Sequence, residues 1–114
     1  MRLIFASFID LMALVTSAEC LKTAEDFFYE GSALRKQGKH DKAIKAYDEA
    51  IWLNPEYAGA WFGKGSALDG QGKHDEAIKA YDKAVWLNPK HAGAWFGKGN
   101  ALAKQGKKDE AIKA

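Results

Sequence analysis

The sequence repeats itself with a period of 34 residues over most of its length. Residues 24–57 and 58–91 are identical at 22 of 34 aligned positions, and residues 58–80 and 92–114 at 19 of 23. Such a period is typical of stacked units, each of which buries its apolar side against the next. The chain is therefore predicted to form a quasi-linear stack rather than a fold around one central core.

One repeat unit has the pattern of two helices joined by a tight turn. Residues at spacings of three and four share one face of the first helix: Trp61, Gly65, Leu68. Gly72 predicts the end of that helix, because glycine adopts the left-handed conformation at little cost. Asp75 and Glu76 are expected to open the second helix and to accept hydrogen bonds from its free N–H groups. Pro89 ends it, because the residue before a proline avoids helical geometry.

Two glycines inside the predicted first helix indicate that the helices depend on one another. Gly63 and Gly65 each cost about 0.5–1 kcal/mol relative to alanine in a helix interior. An isolated helix with both would hardly form. Close packing against neighbouring helices is the expected compensation, and Gly65 leaves room for it.

These residues resemble the tetratricopeptide repeat, the TPR family. The second unit carries the pattern Trp61, Gly65, Leu68, Gly72, Ala77, Tyr81, Ala84, Pro89. The first unit carries Phe27, Gly31, Leu34, Gly38, Ala43, Tyr47, Ala50, Pro55, and the third begins with Trp95, Gly99, Leu102, Gly106, Ala111. The resemblance covers residues 24–114. It implies an all-α solenoid of antiparallel helix hairpins, stacked in a right-handed superhelix with a concave groove. The domains expected are repeat 1 (24–57), repeat 2 (58–91) and a partial repeat 3 (92–114).

The resemblance also implies a protein-interaction scaffold whose groove binds a peptide or a helix of a partner. The groove side of the first helices would carry Phe28, Ser32, Arg35, Phe62, Ser66, Asp69, Phe96, Asn100 and Lys104. An aromatic ladder flanked by hydrogen-bonding groups suits an apolar or amphipathic segment. Alternatively, the phenylalanines simply pack within the stack. Some family members clamp a carboxylate with lysine where these phenylalanines stand and with nearby asparagines, a mode that only Asn100 matches.

Two tryptophans depart from the family pattern. Trp52 and Trp86 occupy equivalent places on the second helices, where the family usually has an exposed polar or charged residue. They either lie across the seam between repeats or form an exposed contact point on the outer face.

Composition and motifs exclude several other classes of function. The formal net charge of +2 gives no strong field for nucleic acid. The histidines stand without cysteine or carboxylate clusters at ligand spacing, so no metal or cofactor is expected. Gly63-Lys64-Gly65-Ser66 lacks the spacing of a phosphate-binding loop. The repeated serines and helix-start aspartates are structural in pattern, so no catalytic residue and no enzyme activity is predicted.

The first 18 residues, MRLIFASFIDLMALVTSA, form a separate segment. Arg2, an apolar run and a small-residue exit near Ala18 resemble a secretory signal peptide, which would make the chain extracytoplasmic or secreted. Asp10 weakens this, because a carboxylate in hydrocarbon costs about 3 kcal/mol. The alternatives are an uncleaved anchor, the only case with membrane contact, and a hydrophobic N-terminal helix that caps repeat 1 in the cytoplasm.

Two other functions remain open at this stage. The incomplete third repeat could mediate end-to-end stacking into a homo-oligomer, because its apolar end would otherwise face water. The signal-like segment instead suggests an accessory subunit of an exported or membrane-associated complex. The sequence does not name the partner.

Overall fold

The computed structural model describes residues 21–113, with side chains described up to residue 109. This part of the chain contains five α-helices and no strand, which confirms the all-α prediction for it. The helices are α1 (Ala24–Lys36), α2 (His40–Leu53), α3 (Ala58–Gly70), α4 (His74–Leu87) and α5 (Ala92–Lys113). The predicted signal peptide or hydrophobic N-terminal helix lies outside the described residues.

Helix α1 begins with a capping box. The Thr23 hydroxyl accepts a hydrogen bond from the Asp26 N–H, and the Asp26 carboxylate accepts one from the Thr23 N–H. This reciprocal pair satisfies two N–H groups at the helix start, which have no partner within the helix. The chain therefore enters the first repeat with a defined helix start.

Each of the first two hairpins turns at a glycine with positive φ. Gly38 has φ 77° and Gly72 has φ 80°. In both turns the next lysine N–H donates back to a leucine carbonyl near the end of the preceding helix, Lys39 to Leu34 and Lys73 to Leu68. This is the Schellman arrangement, for which glycine is the preferred residue. The predicted helix end at Gly72 is correct.

Helices α2 and α4 end at Asn-Pro, with Asn54 and Asn88 in extended geometry. A hydrogen bond from a tryptophan indole connects the following turn to the next helix. Trp61 Nε1 donates to the Pro55 carbonyl at 2.9 Å, and Trp95 Nε1 donates to the Pro89 carbonyl at 2.8 Å. The tryptophan of each first helix thus fixes the connection between one repeat and the next.

Tyrosines of the second helices fill the spaces that glycines leave in the first helices. Tyr47 is fully buried, and its ring lies against both Gly31 and Gly63. Tyr81 lies in the same way against Gly65 and Gly97. Because the two glycines in each set belong to successive first helices, one aromatic ring joins two neighbouring repeats. The close packing expected at Gly65 is therefore present.

The remaining core is built mainly from alanines. One buried cluster surrounds Tyr47, and a second surrounds Tyr81 and Leu68. Small side chains let neighbouring helices approach closely, while each tyrosine is the largest buried side chain of its cluster. The core is thus distributed along the stack, as the 34-residue period predicts.

The starts of α2 and α4 differ from the sequence prediction. Neither helix has a side-chain hydrogen bond at its N-cap, which is Lys39 in α2 and Lys73 in α4. Asp75 lies within the first turn, where it favours the helix dipole, but its carboxylate accepts a hydrogen bond from Gln105 of the next repeat. Asp41 accepts one from Gln71 in the equivalent place. These aspartates therefore link repeats rather than cap helices.

The third unit differs from the first two at its turn position. Helix α5 runs for 22 residues and passes through Gly106, the equivalent of the turn glycines Gly38 and Gly72. A Cβ at Gly106 would meet no atom within 4 Å, which is equally true of Gly38 and Gly72. Helical hydrogen bonds continue across the glycine, whose cost in a helix is about 1 kcal/mol.

Candidate functional site

The nine predicted groove residues lie on the three first helices, α1, α3 and α5. Phe28, Ser32 and Arg35 lie on α1 at spacings of four and three, so they share one helical face. The same spacing recurs on α3, while the third residue of α5 is one position further on: Phe62, Ser66, Asp69; Phe96, Asn100, Lys104. Because α3 contacts both α1 and α5, the residues follow one another along the stack.

The serines of this face are bonded to the core tyrosines. The Ser32 and Tyr47 hydroxyls lie 3.1 Å apart, and Arg35 Nε donates to the Tyr47 hydroxyl at 3.3 Å. In the next repeat the Tyr81 hydroxyl donates to Ser66 Oγ at 3.3 Å. The serines therefore help to fix the positions of the buried tyrosine hydroxyls. A ligand on this face would meet serine hydroxyls that already have a hydrogen-bond partner.

Burial is the main influence on the Tyr81 hydroxyl. Loss of hydration raises the pKa of Tyr81 above its ordinary value, and the nearby Asp69 carboxylate raises it further. The hydrogen bond with Ser66 and the positive charge of Arg35 act in the opposite direction.

The three phenylalanines have different surroundings. Phe28 stacks on Tyr57, with ring centroids 5.1 Å apart, and Phe62 lies 4.9 Å from the His91 ring. Both are half-buried, so they pack within the stack and still present an edge to solvent. Phe96 is 73% exposed. Phe28 and Phe62 therefore pack within the stack, whereas most of the Phe96 side chain faces solvent.

Asp69 is held between the imidazole of His74 and the ammonium of Lys104. Its Oδ1 lies 2.6 Å from His74 Nδ1, and its Oδ2 accepts a hydrogen bond from Lys104 Nζ at 3.2 Å. The Asp69 side chain is largely buried, and Lys104 joins it from the following repeat. The sequence analysis missed His74 as a member of this surface. Its position five residues after Asp69, across the Gly72 turn, was the available signal.

His91 is a second residue that the sequence analysis did not place at the site. Its Nδ1 accepts a hydrogen bond from the Ala94 N–H at 3.0 Å, at the start of α5. The same ring packs on Phe62. His91 therefore supports both the helix start and one member of the aromatic ladder, in the place that Tyr57 occupies one repeat earlier.

The tryptophans of the second helices are exposed. Trp52 is 78% exposed and Trp86 is 72% exposed, so the seam between repeats is not their location. The Lys83 ammonium lies 4.4 Å from the Trp86 ring centroid, within cation–π range. The exposure of both side chains agrees with the second of the two alternatives, while a role in binding stays a prediction.

The described part of the chain offers few elements of other kinds of site. Within it, no group of three or more His, Cys, Asp or Glu side chains could hold a metal ion. Likewise, none of the five helices combines the length and apolar character that crossing a bilayer requires.

The fold and this surface define a helical repeat protein built from hairpins that share interlocking tyrosines and glycines. The sequence model of the tetratricopeptide repeat family matches residues 29–85 and 65–114. These matches together cover more than half of the chain. The protein therefore belongs to the tetratricopeptide repeat family.

Solved structures of several repeat proteins are similar to this chain. A crystal structure of MamA protein is 37% identical with a TM-score of 0.71, and the match covers 80% of this chain and 50% of MamA. The first TPR of Spaghetti (RPAP3) bound to the HSP90 peptide SRMEEVD is 28% identical with a TM-score of 0.72, covering 80% of this chain and 74% of that one. The Sgt2 TPR domain from Aspergillus fumigatus is 24% identical, with a TM-score of 0.71 and coverage of 74% and 56%.

The extent of these matches limits the comparison. The chain spans about half the length of the MamA chains that it matches. A search of curated protein sequences finds no match. The similarity therefore establishes the fold and the family, and the partner has to be sought through the surface itself.

Proposed function

We propose that this protein is a protein-interaction scaffold that binds a segment of a partner along the face of α1, α3 and α5. The observation that carries the proposal is the continuous row of aromatic and charged side chains on that face, held by buried tyrosines. Rigid helices place such side chains at fixed intervals, which limits the entropy lost on binding. The peptide held by the first TPR of Spaghetti supports this mode in general.

The chemistry of the face favours an amphipathic partner segment. Half-buried Phe28 and Phe62 and the exposed Phe96 offer apolar contacts, while Arg35 and Lys104 offer positive charge beside them. Aromatic and arginine side chains commonly supply most of the binding energy at protein interfaces. A carboxylate clamp is disfavoured, because phenylalanines occupy the places where that mode uses lysine.

Peptide selection followed by alanine substitution tests this proposal. The full chain is used to select binders from a random peptide library displayed on phage, and the affinity of a selected peptide is measured by calorimetry. Phe62→Ala is expected to weaken binding at least tenfold, because it removes the central aromatic contact. Trp52→Ala is the matched control, since it removes an exposed aromatic side chain from a second helix.

The outcome separates the groove from other surfaces. Unchanged affinity in Phe62→Ala, with an intact helical circular dichroism spectrum, would remove this face from consideration. Weakened binding in Trp52→Ala alone would place the peptide on the outer side of the stack instead. The helical spectrum is needed as a control because Phe62 also packs on Tyr81 and His91.

End-to-end self-assembly is the alternative to partner binding. It is motivated by the exposed side chains of Trp95 and Leu102 on α5. Sedimentation velocity of the full chain over a wide concentration range measures it directly. A monomer at every concentration would contradict self-assembly and would leave the peptide-binding proposal unaffected.

We also propose that the chain is exported, on the basis of the signal-like segment of residues 1–18. Cleavage is expected near Ala18, and the product would then serve an extracytoplasmic complex. N-terminal sequencing of the protein from its native host tests this. An intact Met1 on a soluble product would contradict export and favour a cytoplasmic location.

A further inference from the structure

The tryptophans of the second helices stay exposed although the stack continues past the first of them. Trp52 lies on α2, which is followed by the complete second hairpin of α3 and α4, and its side chain is still 78% exposed. Trp86, at the equivalent place on α4, is 72% exposed. Exposed apolar side chains that recur on one side of a soluble protein mark an interaction surface.

Each tryptophan belongs to a row of residues that share the outer face of its helix. We define these rows as the outer strips, whose members follow one another at spacings of three, four and three residues. The strip of α2 is Lys42, Lys45, Glu49 and Trp52, and the strip of α4 is Glu76, Lys79, Lys83 and Trp86. Helices α2 and α4 do not contact each other directly, so the strips form two separate ridges.

The two strips carry opposite charges at two of their four positions. Repeats 1 and 2 differ in the sign of the charge at five aligned positions: Glu30 and Lys64, Arg35 and Asp69, Lys42 and Glu76, Glu49 and Lys83, Glu56 and Lys90. Two of these reversals, at 42/76 and 49/83, lie on the outer strips, and the reversal at 56/90 follows directly after the helices.

Contacts within the chain account for the other two reversals but not for these three. Glu30 pairs with Lys22, Lys64 pairs with Asp48, and Asp69 pairs with His74 and Lys104. Within the described residues, no side chain at the 42/76, 49/83 and 56/90 positions takes part in an ion pair. The fold therefore gives no internal reason for opposite charges on the two strips.

We infer that the outer strips bind a second copy of this chain, with α2 of each copy parallel to α4 of the other. A two-fold axis that runs parallel to these helices and midway between them produces this arrangement. Rotation about it exchanges the two strips and keeps their direction. Each contact therefore forms twice, as in any isologous dimer. The facing pairs are Glu49 with Lys83, Lys42 with Glu76, and Trp52 with Trp86.

The side chains of the strips suit this pairing. The Lys83 ammonium lies 4.4 Å from the Trp86 ring centroid, so charge and aromatic ring stand together on α4. Glu49 lies three residues before Trp52, which presents the complementary charge at the same spacing on α2. Tryptophan pairs gain from stacked or edge-to-face contact and often dominate interfaces. Lys45 and Lys79 meet as like charges, but long lysine side chains can turn to solvent.

This inference goes beyond the proposed function, because the groove lies on the first helices and the outer strips lie on the second helices. It also differs from end-to-end assembly, which uses Trp95 and Leu102 on α5. Variants of the strips leave Phe62 and α5 unchanged. Failure of this inference is therefore distinguishable from failure of the groove proposal.

Charge exchange between copies provides the test. Sedimentation velocity of the full chain at low ionic strength is expected to show a reversible dimer. Glu49→Lys and Lys83→Glu are each expected to weaken dimerisation at least tenfold, because each sets like charges against one another at two symmetric places. Lys36→Glu, a charge reversal at an exposed site on α1, is the matched control and is expected to leave the dimer intact.

Mixing the two charge variants is the decisive step. In an equimolar mixture, one Glu49→Lys chain and one Lys83→Glu chain place opposite charges against each other at both symmetric places. A heterodimer is therefore expected, although neither variant forms a dimer alone. The double variant carrying both changes is expected to dimerise by itself. Trp52→Ala is expected to weaken every one of these dimers at least tenfold, with the helical circular dichroism spectrum unchanged.

Several results would overturn the inference. The wild-type chain could be a monomer at every concentration, or its dimer could persist in both charge variants. Failure of the mixed variants to associate would also contradict the pairing. A dimer lost in Trp95→Ala but kept in Trp52→Ala would assign association to α5. Binding of a monomeric chain to phosphatidylserine vesicles, lost in Trp52→Ala, would identify a membrane surface as the occupant instead.

Discussion

Helices α3 and α5 have nearly the same sequence over their first 11 residues, AGAWFGKGSAL and AGAWFGKGNAL, and yet different surroundings. Leu68 of α3 is 4% exposed, while its counterpart Leu102 is 46% exposed. Gly65 meets the Tyr81 ring, while Gly99 meets open space. The difference lies in the neighbours: α3 is packed between α1, α2, α4 and α5, whereas α5 packs on α3 and α4.

The comparison shows that one sequence pattern can serve as core or as surface. Apolar residues at the same spacing are buried in α3 because a second helix returns over them after Gly72. In α5 the helix continues through Gly106, so the equivalent residues stay accessible. Mutations at equivalent positions of α3 and α5 should therefore change the stability by different amounts. The difference measures how much the neighbouring helix contributes to stability at that position.

The largest difference is expected between Leu68→Ala and Leu102→Ala. Truncating the buried Leu68 should lower the free energy of unfolding by about 2–4 kcal/mol, because apolar contacts are lost and a cavity remains. Leu102→Ala should cost less than about 1 kcal/mol, because its side chain is already half exposed. Urea unfolding followed by circular dichroism measures both. Equal losses would mean that the side of α5 that carries Leu102 is covered in solution.

Replacement of Gly65 and of Gly99 by alanine should change the free energy of unfolding in opposite directions. Gly65→Ala places a Cβ 2.8 Å from the buried Tyr81 ring and is expected to cost about 1–3 kcal/mol. Gly99→Ala should stabilise the protein by about 0.5–1 kcal/mol, since it adds helix propensity in open space. Thermal unfolding of the two variants side by side provides the measurement. Destabilisation by Gly99→Ala would show that another group occupies the space beside Gly99.

The Tyr81 ring lies against Gly65 and Gly97, and its burial predicts that the protein loses stability at alkaline pH. Its pKa in the folded state is raised by burial above the ordinary value of about 10. The neutral phenol is therefore favoured by the fold. Its contribution to stability is complete below about pH 10 and is lost as the pH rises through the folded-state pKa. Absorbance at 295 nm and unfolding at pH 9–11 test this, with Tyr81→Phe as a control that should show a shallower loss.

The smallest effects on stability are expected where α3 and α5 make the same contact with the helix before them. Lys64 lies 2.7 Å from Asp48, and Lys98 lies 2.6 Å from Asp82, each pair joining a first helix to the second helix before it. Such exposed pairs contribute about 0.5 kcal/mol or less. Asp48→Asn and Asp82→Asn should therefore have similar, small effects that shrink further in 1 M NaCl. A large difference between them would indicate that the α2–α3 and α4–α5 packings are not alike.

Much of the fold could be predicted from particular residues. The Gly72 turn, the Asn88-Pro89 helix stop and the glycine packing at Gly65 all follow from backbone stereochemistry and steric room. The groove residues were also placed together on the first helices. Whether these side chains are available to a ligand was harder to predict, because the Ser32 and Ser66 hydroxyls are hydrogen-bonded to buried tyrosines.

The sequence predictions that were wrong or incomplete have a common physical origin. Asp75 was expected to cap its own helix, but its carboxylate bonds to Gln105, thirty residues away. His74 was not placed at the surface, although its contact with Asp69 spans the Gly72 turn. Each miss concerns a polar side chain with several partners within reach. The choice among them depends on distances set by the stacked helices, which local patterns do not contain.

The sequence by itself determined the repeat unit, its helices and its turns, because period, glycine and proline positions act through local stereochemistry. The tertiary structure alone decided which copies of one pattern are buried. Phe62 and Leu68 lie in the core region, while Phe96 and Leu102 face solvent. Burial depends on whether a neighbouring helix packs on the same face, and that is a property of the assembled stack and not of the unit.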